Sequence, residues 1–115
     1  MIQYLKLANK GVLQPVMMLA LPRVEKIFNE FGYSAIVIST NDGFHPVGSL
    51  HYIGLAVDLR TTHLQTDLVP VVADKIRELL SSLSPSFRVI LKTDHIHIEF
   101  DRRQNHETIQ NAKKT

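Results

Sequence analysis

Residues 95–100 read His-Ile-His-Ile-Glu-Phe, six positions that alternate polar and apolar without a break. A period of two marks a strand with one buried and one open face. His95, His97 and Glu99 must share one face, and Ile96, Ile98 and Phe100 the other. The chain therefore has to build a sheet with hydrocarbon on one side and two imidazoles and a carboxylate on the other. His51 and Asp58 stand in a second segment, so a histidine, an aspartate and a further histidine are on hand as metal ligands. Zinc accepts imidazole nitrogen and carboxylate oxygen, and its catalytic sites use three protein ligands and keep one position for water.

Parity restricts how these groups can meet. His51 and Asp58 are separated by 58 − 51 = 7 positions, so on one flat strand they would face opposite sides. They converge only if His51 lies in the loop before the strand, or if Gly54 marks a bulge. Asp94 and His97 are out of phase by 97 − 94 = 3, which puts Asp94 in the turn, able to fold back over the site.

The rest of the chain supplies an ordinary frame. Gln14 to Phe31 carries Met17, Leu21, Val24, Phe28 and Phe31 at helical spacing; Pro22 predicts a kink, or a start near Leu21. Met17 and Met18 read as core filler. Ser34 to Ser39 is a β-branched run and a predicted strand, followed by turn residues from Thr40 to Gly48 that include His45. Tyr52 to Leu59 predicts the next strand. Its small residues Gly54 and Ala56 are expected to leave room beside Asp58, and Arg60 is expected to point away from that face. Thr66 to Leu83 predicts a second helix, capped by Thr66 or Asp67, with Leu68, Val72, Ile76, Leu79 and Leu83 as its stripe. Phe87 to Leu91 and His95 to Phe100 predict a hairpin. His63 and His106 read as surface residues.

The expected fold is α+β: a mostly antiparallel sheet, two helices on one face and a zinc cleft on the other. The 115 residues fit a single domain, 1–115, with a polar tail from about residue 102. Cysteine is absent, which removes thiolate ligands, disulfides and cysteine nucleophiles. The formal charge is only +2, and no basic stripe with interleaved aromatics suggests nucleic acid. No run approaches the roughly 20 apolar residues of a membrane span. The first ten residues lack the pattern of a signal peptide. The expectation is synthesis in the cytoplasm with release to the wall by another agent, or carriage on a virion.

Ser49-x-His51-x-x-Gly54-x-Ala56-x-Asp58 resembles the first signature of the D-Ala-D-Ala metallopeptidase superfamily, which includes phage L-alanyl-D-glutamate endolysins and the hedgehog signalling domain. Asp94-His95-Ile96-His97 resembles its second. The likeness spans about Val37 to Phe100, and its wording from Ser49 to Asp58 is especially similar to hedgehog domains. It implies a hedgehog-like fold and a zinc peptidase acting on peptidoglycan peptides. His51, Asp58 and His97 would be the ligands, Asp94 the general base and His95 an oxyanion stabiliser. Ser49 and Glu99 are candidates to accept the outward ring N–H groups of bound histidines. Carboxypeptidases of the superfamily hold the substrate's free carboxylate with an arginine in a Ser-x-x-Arg turn. The matching stretch here is Ser39-Thr40-Asn41-Asp42, which favours an endopeptidase, and the small size with no signal peptide suggests one of phage or prophage type. The alternative is an inactive zinc-binding recognition module, or a structural module of a phage particle.

Overall fold

The alternating segment becomes the strand it predicts, and the sheet is assembled around it. The computed structural model describes residues 2–5, 8, 10–40 and 50–102. In chain order the elements are β1 (Gln3–Tyr4), α1 (Pro15–Glu30), β2 (Ile36–Ser39), β3 (Ala56–Arg60), α2 (Val69–Leu83), β4 (Phe87–Leu91) and β5 (His95–Phe100), with three short 3-10 turns. The sheet order is β1-β2-β3-β5-β4. Among the described residues only the β1–β2 pair is parallel. The expected α+β class with a mostly antiparallel sheet is observed. β1 was not anticipated, because two residues are too few to show a period.

The sheet divides polar from apolar as its alternation requires. Val57 and Leu59 of β3 and Ile96 and Ile98 of β5 join one core with Met17, Leu21, Val24 and Phe28 of α1 and Val72, Ile76 and Leu80 of α2. Burying side chains of this size contributes roughly 1.5–3 kcal/mol each. Asp58, His97 and their neighbours therefore stand on the face away from the helices.

Expectations for three elements need correction. α1 begins at Pro15 and continues through Pro22, so the alternative start near Leu21 is not observed. Pro22 lies on the exposed side of the helix, where water can take up the carbonyl it leaves unpaired. Met17 is buried core, whereas Met18 is exposed. In α2 the helix proper starts at Val69 after a 3-10 turn at Thr66–Leu68, and neither Thr66 nor Asp67 caps it. Its buried stripe shifts to Val72, Ala73, Ile76 and Leu80, leaving Leu83 exposed.

The third correction bears on the site. Tyr52 to Leu59 is not one strand: Leu50–Ile53 forms a 3-10 turn, and β3 begins at Ala56. Gly54 causes the break. It sits at φ +74, a conformation side chains resist, and a Cβ there would collide with the Val12 carbonyl oxygen. Its own carbonyl accepts the Gln14 N–H at 2.9 Å. Gly54 is thus small because the segment before α1 packs onto it, and not to open space beside Asp58.

Candidate metal centre

β3 and β5 pair with Asp58 opposite His97 and Leu59 opposite Ile96. Directly opposite residues on one face carry their Cβ atoms about 5 Å apart. This register sets Asp58 and His97 side by side. His51 comes from the 3-10 turn before β3, the first of the two routes that parity allowed. The register of β2 on β3 shifts between Val37 and Ser39, a bulge of the kind that re-aims a chain. Beyond it, Thr40 presents its carbonyl to His51 Nδ1 at 2.5 Å.

Three ligand atoms converge. His51 Nε2 lies 3.2 Å from His97 Nδ1 and 3.3 Å from Asp58 Oδ1. His97 Nδ1 lies 2.9 Å from the same Asp58 oxygen. Zinc–nitrogen bonds of about 2.0–2.1 Å at tetrahedral angles place ligand atoms about 3.3 Å apart, so the triangle has the size such an ion requires. His51 and Asp58 are buried, and His97 is partly so. These three residues could hold a metal ion.

Both rings are oriented by their second nitrogen. His51 donates Nδ1–H to the Thr40 carbonyl, which leaves Nε2 as the lone pair toward the centre. His97 Nε2 lies 2.7 Å from Glu99 Oε1, which leaves Nδ1 facing inward. An acceptor behind the ring fixes tautomer and angle and raises ligand basicity. The structure thus puts Glu99 where an acceptor was expected. It also reveals the Thr40 carbonyl, which no side-chain pattern could have announced. Ser49 and His45 lie outside the described residues, as does His106.

Electrostatics follow from this packing. Burial raises the Asp58 pKa, but the hydrogen bonds from His51 and His97 outweigh it and hold the carboxyl well below its usual range. Burial lowers the His97 pKa, yet its bonds to Asp58 and Glu99 prevail and push it up to about 9. The two ring nitrogens of His97 thus each face a carboxylate, which favours the protonated ring. The His97 hydrogen bond lowers Glu99 in turn, and Arg88 lies 3.5 Å from that carboxylate.

Asp94 and His95 form a second unit. Asp94 occupies the β4–β5 turn, as parity required, but its carboxylate meets His95 Nδ1 at 2.7 Å instead of reaching the triangle. Its carbonyl accepts Thr61 N–H at 3.1 Å, which ties the turn to the end of β3. The His95 bond lowers the pKa of Asp94. His95 turns its other nitrogen, Nε2, to within 3.8 Å of Asp58 Oδ1. The order is carboxylate, imidazole, ligand triangle.

Two further histidine and arginine readings change. His63 is no simple surface residue: its ring stacks on Phe28 at 6.2 Å and its Nε2 donates to the Ser34 carbonyl at 2.8 Å. It fastens the loop after β3 to the end of α1. Arg60 does not point away from the site face. It stands 60 − 58 = 2 positions beyond Asp58, hence in phase with it, and pairs with His95.

Comparison with protein-family models and with curated proteins returned no match. Among the described residues no helix is long and apolar enough to cross a membrane.

Proposed function

We propose that the centre holds zinc and that the protein hydrolyses amide bonds in peptidoglycan peptides as an endopeptidase of phage or prophage type. The observation that carries this reading is the ligand triangle of His51, Asp58 and His97 beside the Asp94–His95 pair. Three protein ligands among the described residues match a catalytic zinc site, where one position stays open. A site that merely stapled the fold would not need a carboxylate–imidazole pair at its edge. The two sequence signatures supply the substrate class, and delivery to the wall by another agent or on a virion belongs to the same proposal.

Zinc would supply a Lewis acid for the scissile carbonyl and acidify a water. The chain's own residues then handle the proton. Asp94 accepts Nδ1–H of His95 and fixes its tautomer, so the Nε2 lone pair faces the reaction. Nε2 takes a proton from the attacking water and returns it to the departing amine. The base role expected of Asp94 is thereby exercised through His95, whose imidazolium Asp94 stabilises.

Zinc-loaded protein incubated with purified muropeptides and followed by mass spectrometry tests the reading. Asp58→Ala should lose zinc and cleavage together. Asp94→Ala and His95→Ala should retain zinc and lose about 10²–10⁴-fold in rate. Full activity in Asp94→Ala overturns the proton assignment. Zinc binding with no cleavage of any muropeptide overturns the peptidase reading and favours the inactive recognition module.

A further inference from the structure

Strand pairing sets one row of side chains across the open face: Ser39 opposite Asp58, Asp58 opposite His97, and His97 opposite Ile90. The two ligands are thus flanked by a hydroxyl residue on one side and a branched hydrocarbon on the other. Val89 sends its side chain into the core, so Ile90 faces away from the helices. Ile90 belongs neither to the core cluster nor to the apolar side chains packed against it, yet it is half-buried. Every other side chain that β4 and β5 place on this face is charged or an imidazole: Arg88, His95, His97 and Glu99.

A lone apolar side chain on a polar surface is common and by itself needs no ligand. Position distinguishes this one. Directly opposite residues hold their Cβ atoms about 5 Å apart, so Ile90 stands beside a ligand histidine. The ligand triangle lies between β3 and β5, hence roughly 7 Å from β4, one and a half strand spacings. A peptide residue reacting at the triangle spans that gap with an aliphatic side chain of ordinary length. Hydrocarbon laid on Ile90 leaves water on both sides of the contact, a gain of about fourfold in affinity per buried methylene. A charged group laid there loses hydration without gaining a partner from the isoleucine.

We infer that Ile90 is a specificity-determining residue: it packs an uncharged aliphatic side chain of the substrate residue that flanks the scissile bond. The inference rests on the peptidase reading for its substrate and narrows that substrate by side-chain chemistry.

The test reads binding and needs no turnover. Zinc-loaded protein is titrated with acetohydroxamate, which meets the metal alone, and with two series of peptide hydroxamates. One series carries the variable side chain on the acyl side of the zinc-binding group, the other on the amine side. The variable residue is glycine, norleucine or lysine, the last two being close in length and different in charge. In one series wild type should prefer norleucine over glycine by about tenfold or more, and lysine should lose most of that gain. The responding series identifies which substrate residue Ile90 reads. Ile90→Thr keeps a β-branched strand former and should bring the norleucine preference toward one, with acetohydroxamate affinity and thermal melt unchanged. Ile90→Val should keep most of the preference. No preference in either wild-type series, or a preference intact in Ile90→Thr, overturns the inference. Loss of acetohydroxamate binding in wild type removes the open metal position, and the peptidase reading and this inference fall together. An Ile90-dependent preference without cleavage of any muropeptide leaves the inference standing and sinks only the peptidase reading.

Discussion

Glu99→Gln tests the logic of the centre more sharply than removing a ligand does. Glutamine keeps the shape and can still accept a hydrogen bond from His97 Nε2, so the 2.7 Å contact survives while its charge is lost. Removing such a partner outright behind a metal-bound histidine typically costs 10–100-fold in affinity, or about 1.4–2.7 kcal/mol, which is the upper bound when only the charge goes. A second effect runs the other way. His97 titrates near pH 9 in the metal-free protein, so at pH 7 a proton competes with the metal and weakens its binding about a hundredfold, one factor of ten per pH unit. Glu99 is one of the groups that raises this pKa, and glutamine relaxes the competition. The expected result is a modest loss at pH 7 that widens toward that upper bound as pH approaches 9. Competition against a calibrated zinc chelator, measured from pH 6.5 to 9.5, reads both curves. Wild-type affinity should climb with pH and level off near 9, and the variant should level off earlier and lower. Superimposable curves would refute the claim that the Glu99 charge sets the basicity of His97.

Two further outcomes follow from the same geometry. In the metal-free protein the raised pKa of His97 stabilises the fold fully below the unfolded value of 6.5, and that contribution is lost as pH rises through about 9. Asp58 and Glu99, both depressed, contribute above the usual carboxylate range and lose their contribution as pH falls. Thermal melts without metal should therefore peak between about pH 5 and 6.5 and decline toward 9, whereas zinc, which needs neutral His97, should move the maximum upward. Gly54→Ala should cost about 3 kcal/mol or more in urea unfolding, since both φ and the Val12 carbonyl oppose a Cβ; a loss under about 1 kcal/mol would show that the turn relaxes cheaply.

Much of this molecule was legible in its sequence because some patterns carry their own geometry. The alternation from His95 to Phe100 fixed which side chains share a face, since strand side chains alternate whatever surrounds them. Parity required His51 to leave the strand or Gly54 to bulge it, and Asp94 to sit in a turn; His51 lies in a 3-10 turn before the strand and Asp94 in the β4–β5 turn. The helical stripe around Met17, Leu21, Val24 and Phe28 was equally local. Register is not local. The Asp58–His97 pairing, the bulge that brings the Thr40 carbonyl behind His51, and the packing of Val12 on Gly54 depend on segments far apart in the chain. The placement of Arg60 opposite His95 belongs to the same class, whereas the Asp94–His95 contact joins chain neighbours. Sequence named the donors of the centre through their chemistry and period, and tertiary pairing decided which atoms of those donors meet, because a strand's period sets direction while only its neighbours set position.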